Sequence, residues 1–101
     1  MKYITDYKEL HGNDNVSLLN HISEQAIDGK RKVLLYLKNG NDDGVRCSGV
    51  YDYVKAEPQF DTIHLFTDGE YYWDSEEIYH FEKYNLELNP DFVEKALKTT
   101  L

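Results

Sequence analysis

The stretch DGEYYWDSEEIYHFEKYN, residues 68–85, carries the clearest local structure signals in the chain. Asp68-Gly69 is a dipeptide typical of a tight β-hairpin, so residues 70–73 are expected to return as a strand. Asp74, followed three residues later by Glu77, fits a capping box. The sequence therefore predicts a hairpin that leads directly into a helix.

The same stretch also indicates where this helix ends and where another begins. Ile78, Phe81 and Tyr84 lie at helical spacing and are expected to face the sheet. Asn85 suits the left-handed residue that often ends a helix. Asn89-Pro90 then predicts a last helix, because Asn is a favoured cap and Pro is tolerated at the first helical position.

Three further strands are expected before residue 68. Residues 32–38, KVLLYLK, form a continuous apolar run that favours a strand covered on both faces. Residues 39–44 are rich in Asn, Asp and Gly and predict a loop. Residues 45–55 alternate and residues 62–67 are rich in strand formers, with a turn expected at 57–59.

The N-terminal part is expected to be helical. Residues 1–13 predict a lead-in with one or two helical turns. Asp14 or Asn13 caps a predicted helix over residues 14–27, and Gly29 follows as its stop. The predicted class is therefore α+β: a small antiparallel meander of three to four strands, with an N-terminal helix and two short C-terminal helices packed on it.

Length and composition favour a single globular domain over residues 1–101. The chain is 41% hydrophobic and 14% aromatic, which is typical of a folded protein. Cys47 is the only cysteine, so no internal disulfide is possible. No apolar run resembles a signal peptide or a membrane span, which predicts a cytoplasmic protein without membrane contact.

The net charge of −8 is unevenly distributed. Residues 1–55 hold as many acids as bases, so residues 56–101 carry the entire excess. Such a field repels phosphates, and direct binding of nucleic acid is not expected. A basic protein partner would be attracted. The alternative is that the acidity only keeps a small protein soluble.

Metal and cofactor sites are not expected. Glu76 and His80 are four residues apart on the predicted helix, close enough to reach one ion, with His64 and Cys47 as further candidate ligands. No recognised ligand spacing accompanies them, and a Glu–His pair at this spacing is more often a helix surface contact.

An enzyme is not expected either. Cys47 lies among tyrosines in a predicted strand, and neither Ser48 nor Ser75 is preceded by a glycine elbow. A nucleophile needs a base that a third group orients, and no motif supplies one. No catalytic residue is assigned.

Protein binding is the best-supported function. Tyrosine and tryptophan commonly anchor interfaces, and acids around them steer basic partners. If Tyr71 and Trp73 face the core, Tyr72 is left exposed between two acids, although an ordinary solvated surface would look the same. The predicted acidic face consists of Glu70, Tyr72, Asp74, Glu76, Glu77, His80 and Glu82.

This small, acidic, tyrosine-rich composition resembles that of DNA mimics, among them phage-encoded anti-restriction and anti-CRISPR inhibitors of host defence. It also resembles immunity and antitoxin proteins that neutralise basic toxins. No family-specific motif carries either resemblance. Both imply an inhibitor that blocks a basic or nucleic-acid-binding protein, and the alternative is a structural or self-associating domain without a ligand.

Overall fold

Four strands and four α-helices make up the described part of the chain. The computed structural model describes residues 2–99, apart from the side chain of Phe60. In chain order the elements are β1 (Lys2–Tyr3), α1 (Lys8–His11), a 3-10 helix (Leu18–Asn20), α2 (Lys30–Lys38), β2 (Asn41–Asp52), β3 (Glu57–Thr67), β4 (Tyr71–Asp74), α3 (Ser75–Tyr84) and α4 (Pro90–Lys98).

The C-terminal third folds as its local signals predict. The Asp74 side chain accepts a hydrogen bond from the Glu77 N–H, and the Glu77 side chain accepts one from the Asp74 N–H, which completes the capping box. Asn85 ends α3 in the left-handed conformation with φ 56°. The Asn89 side chain caps α4, which begins at Pro90. These boundaries are confirmed, and each depends on groups within four residues of one another.

The sheet is mixed, with the strand order β1-β4-β3-β2. Strands β2, β3 and β4 pair antiparallel in chain order, which matches the predicted meander of three to four strands only roughly. The edge strand β1 instead pairs parallel to β4, with Lys2 opposite Tyr71 and Tyr3 opposite Tyr72. A two-residue strand is too short to show an alternating pattern, so the sequence gives no sign of it. The rest of the lead-in contains one helical turn, α1, which ends at Gly12 with φ 64°.

The strand predicted over residues 32–38 is wrong, because these residues lie in α2. Val33, Tyr36 and Leu37 are buried at spacings of three and four, which is one side of a helix. Leu37 also accepts a hydrogen bond through its backbone oxygen from the Trp73 indole N–H at 3.0 Å. A continuous apolar run fits a buried helix as well as a buried strand, and tertiary packing decides between them.

The helix predicted over residues 14–27 is also wrong. Only Leu18–Asn20 form a single 3-10 turn there. The backbone of this segment bonds to distant residues instead: the Glu87 N–H donates to the His21 carbonyl at 2.9 Å. Leu18 is fully buried against the N-terminal residues and Leu86. Long-range contacts thus replace the local i→i+4 bonds of a helix.

The β2–β3 hairpin extends beyond the predicted strands. Strand β2 starts at Asn41, inside the predicted loop 39–44, and β3 starts at Glu57, inside the predicted turn 57–59. The connection lies at residues 53–56 instead. Because β2 is an edge strand with irregular register, it tolerates turn residues that a central strand would exclude.

Two apolar clusters support these elements. Trp73 lies in the larger one, and its indole packs so closely on Gly40 that a Cβ at that position would come within 2.5 Å of the ring. The larger cluster is formed by Ile4, Val33, Tyr36, Leu37, Tyr71, Trp73, Ile78, Phe81, Leu88, Phe92 and Ala96. The smaller cluster, Tyr7, Leu10, Leu18 and Leu86, fixes the N-terminal segment on the chain that follows α3.

Candidate functional site

The predicted acidic face is not one surface. Its members divide into a buried set, Asp74, Glu76, Glu77 and His80, and a set that reaches solvent, Glu70, Tyr72 and Glu82. Glu76, Glu77 and His80 were expected to lie in solvent, away from the Ile78 and Phe81 side of the helix, and this expectation is wrong. These side chains turn toward β2 and the N-terminal segment, where they find hydrogen-bond partners.

Glu77 is the most enclosed of these acids, with 1% of its surface exposed. It accepts a hydrogen bond from the Thr5 hydroxyl, and the His11 Nε2 lies 3.8 Å from its carboxylate. Burial raises the pKa of the Glu77 carboxyl. The negative charge of the nearby Glu77 carboxylate in turn raises the pKa of His11. Glu77 therefore joins the start of α3 to the N-terminal segment.

Glu76 and His80 act as acceptors for the backbone of β2 and the turn after it. The Tyr51 N–H donates to the Glu76 carboxylate at 2.9 Å, and the Tyr53 N–H donates to the His80 Nε2 at 3.1 Å. His80 itself donates from Nδ1 to the Glu76 carbonyl at 2.7 Å, which fixes it as a neutral tautomer. The i, i+4 pair is thus a structural link between α3 and β2.

This link predicts a pH effect. Burial lowers the pKa of His80 in the folded protein. In the unfolded chain His80 has the ordinary histidine pKa of about 6.5, so below this pH the unfolded chain takes up a proton that the folded protein resists. The stabilising contribution is therefore complete above that value and is lost as the pH falls below it. We expect unfolding by urea to show a steeper loss of stability between pH 7 and pH 5 for the wild type than for His80→Gln, which keeps an acceptor but does not titrate.

A second substitution measures the hydrogen bond itself. His80→Phe leaves the Tyr53 N–H without its acceptor and should lower the free energy of unfolding by about 2 kcal/mol at pH 7. If the free energy of unfolding depends on pH equally in the wild type and in His80→Gln, the lowered pKa of His80 is contradicted.

The metal hypothesis receives no geometric support. In the part of the chain that the structure describes, no group of three or more His, Cys, Asp or Glu side chains is placed to hold an ion. Both Glu76 and His80 already accept backbone hydrogen bonds. His64 and Cys47 are exposed on β3 and β2.

The exposed acids of the predicted face are neutralised by lysines. Glu70 pairs with Lys2 at 3.3 Å and with Lys95 at 3.0 Å, and Glu82 pairs with Lys38 at 3.0 Å. Surface ion pairs of this kind contribute little stability, but they remove free negative charge from the face. The two side chains therefore offer a basic partner less than the sequence suggests.

Asp52 is a buried acid that sequence reasoning missed. Its carboxylate accepts hydrogen bonds from the Tyr79 hydroxyl at 2.6 Å and the Tyr84 hydroxyl at 2.5 Å, and also from the backbone N–H groups of Val54 and Lys55. Burial alone would raise its pKa, but these donors outweigh burial and lower the pKa to about 2. Nothing in the sequence distinguishes this aspartate from the exposed ones.

Tyr72 borders a small depression of about 340 Å³ beside β4. The Tyr3 ring lies 6.2 Å from the Tyr72 ring, centroid to centroid, and 4.8 Å from the His11 ring. Arg46 pairs with Asp74 at 3.2 Å within the same depression. The charges of this pair are thus matched internally.

The larger apolar depression is the α4 groove, which lies between residues 20–28 and α4 and has a volume of about 880 Å³. Val93 and Leu97 of α4 form one wall, and Ile27, 44% exposed, belongs to the other. Its apolar lining comprises Ile22, Ala26, Ile27, Phe81, Leu86, Leu88, Pro90, Val93 and Leu97. No predicted site residue lines it, because most of the segment 20–28 belongs to the helix predicted over residues 14–27, which was expected to bury these side chains.

Acids surround this groove. Asp28, Glu87 and Glu94 are among its lining residues. An adjoining depression of about 830 Å³ shares Glu87 and adds Asp6 and Asp14. Apolar walls with carboxylates at their edges are suited to a ligand that is itself apolar and positively charged.

Among residues 2–99, the helices are all too short or too polar to cross a membrane. Comparison with known proteins identifies no relative: no protein-family model, curated protein or solved structure matches the chain.

Proposed function

We propose that this protein is a non-enzymatic, acidic protein-binding domain that inhibits a basic or nucleic-acid-binding partner. The observation that carries the proposal is a set of exposed carboxylates without an ion-pair partner among residues 2–99. They include Asp14, Glu24, Asp28, Asp42, Asp43, Glu57, Asp61 and Asp91. Unpaired surface charge attracts a partner of opposite sign and speeds association.

Two forms of this function make different predictions. A DNA mimic holds its partner mainly through carboxylates, so its binding weakens steeply with salt and is displaced by DNA. An immunity or antitoxin protein that relies on apolar contacts is less sensitive to both. The α4 groove favours this second form, because its lining is mainly apolar. We expect either inhibitor to act in the cytoplasm, where the thiol of Cys47 stays reduced.

The test is retention of proteins from a cell extract on the immobilised domain, with increasing salt and with or without excess duplex DNA. We expect a basic or nucleic-acid-binding protein to be retained at low salt. If only neutral or acidic proteins are retained, or none at all, the proposal is wrong.

Matched variants test whether the unpaired carboxylates matter. Asp42→Asn, Asp43→Asn and Asp61→Asn together remove three unpaired charges. Glu70→Gln, Glu82→Gln and Glu94→Gln remove the same charge from residues that lysines already neutralise. The first triple variant should weaken retention more than the second, since only it reduces the free negative charge.

A further inference from the structure

We infer that the α4 groove binds an amphipathic helix of the partner protein, with lysine or arginine beside the apolar side of that helix. The inference rests on the proposed function, the binding of a basic protein, and adds the place and the shape of the contact. It does not involve the predicted acidic face.

The size of the groove fits a short helical segment. An α-helix with side chains is about 10 Å across and rises 1.5 Å per residue, so a volume of about 880 Å³ corresponds to about two turns. One wall is itself a helix, α4, whose groove-lining residues Pro90, Val93, Glu94, Leu97 and Lys98 recur at spacings of three and four. Such a ridge packs against the complementary side of another helix.

The walls leave apolar surface uncovered. Ile27 is 44% exposed, and Val93 and Leu97 are only partly covered by the core. Residues 20–28 do not close over α4, because their backbone bonds elsewhere: the Ser23 N–H donates to the Tyr84 carbonyl at 3.0 Å. An apolar side of a partner helix would cover this surface, which is a common mode of peptide recognition.

The charges around the groove favour a partner helix that is positively charged. Asp28, Glu87 and Glu94 line it, and Lys98 is the only lysine or arginine among the described residues that do. Glu94 pairs with Lys98 at 2.5 Å, and Glu87 pairs with His21 at 3.3 Å. Among the described residues that line the two depressions, the acids without an ion-pair partner are Asp28 of the groove and Asp6 and Asp14 of the adjoining depression. Lysines or arginines flanking the apolar side of the helix would lie near these carboxylates.

Three synthetic peptides test the inference. The first is a 14-residue amphipathic helix of leucine and lysine; the second has the same composition in an order without an apolar side; the third replaces each lysine with glutamate. Titration into the ¹⁵N-labelled full chain should shift amide signals of residues 20–28 and α4 with the first peptide. The other two should bind at least about tenfold more weakly, since each lacks one of the two complementary features.

Two substitutions locate the contact. Ile27→Ser removes apolar surface and should weaken binding of the leucine–lysine peptide about tenfold. Ala26→Trp places a large ring in the groove and should also weaken it. The control is Val45→Ser on β2, which removes a comparable exposed side chain, 60% accessible, outside the groove lining and should leave affinity unchanged.

The inference is overturned if the peptide without an apolar side binds equally, if the shifts lie on the β2–β3 hairpin, or if Val45→Ser weakens binding as much as Ile27→Ser. Absence of binding by the leucine–lysine peptide overturns it as well. A dimer that Ile27→Ser dissociates in sedimentation experiments would assign the groove to a second copy instead.

The extract experiment separates this inference from the function on which it rests. If a basic protein is retained equally by the wild type and by Ile27→Ser, the groove is not the contact, but the proposed function stands. If no basic protein is retained while the leucine–lysine peptide binds at α4, the proposed function fails and the groove remains a helix-binding site.

Discussion

Replacement of Asp52 with alanine should lower the free energy of unfolding by about 3 kcal/mol. The carboxylate is fully buried and accepts two tyrosine hydroxyls and two backbone N–H groups. Hydrogen bonds to a charged acceptor are stronger than neutral ones, and the substitution leaves all four donors without their partner. This places it among the largest effects expected from a single substitution in this protein.

The lowered pKa of Asp52 predicts that the stability of the protein decreases as the pH falls. The pKa of Asp52 is lowered to about 2 in the folded protein, below the ordinary aspartate value of about 3.9. Its contribution to stability is therefore complete above pH 4 and is lost as the pH falls toward 2. Asp52→Asn keeps the shape but cannot ionise, so its stability should fall less steeply over this range than that of the wild type.

Urea unfolding followed by circular dichroism at several pH values would measure both effects. Tyr79→Phe and Tyr84→Phe are the matched controls, because each removes one hydroxyl donor and should cost about 1 kcal/mol. A stability of Asp52→Ala within 1 kcal/mol of the wild type would show that the four hydrogen bonds add nothing beyond their bonds to water in the unfolded chain.

Replacement of Glu77 with alanine should also cost about 3 kcal/mol. It removes the reciprocal half of the capping box, leaves the Thr5 hydroxyl without its acceptor and leaves His11 without its ion-pair partner. Glu77→Gln should cost less than 1 kcal/mol, since the amide retains an oxygen acceptor while the buried charge, which burial disfavours, disappears.

The two variants also differ from the wild type at His11. Because the charged Glu77 carboxylate raises the pKa of His11, both Glu77→Gln and Glu77→Ala should lower that pKa. NMR titration of the His11 ring would measure the change. An unchanged pKa of His11 in Glu77→Gln would contradict the assigned interaction.

The first prediction concerns Asp52, which the sequence did not single out. The second concerns Glu77, which was predicted to bind a partner protein. Asp52 looks like any aspartate in a turn-rich segment, and its tyrosine donors lie 27 and 32 residues away. Glu77 was correctly predicted as part of the helix cap, but its contact with Thr5 is 72 residues away. The buried members of the predicted acidic face are held by contacts of this kind, between residues distant in sequence. The partner-binding role of the face stays a prediction.

The sequence by itself determined the hairpin turn, the start and end of α3 and the start of α4, since each depends on side chains within four residues of the backbone groups they satisfy. Only the tertiary structure decided that residues 32–38 form a helix, that residues 14–27 do not, and that the acids of α3 face inward. An apolar run or a carboxylate has several local conformations of similar free energy, and the partner that selects one, such as Trp73 for α2, is distant in sequence.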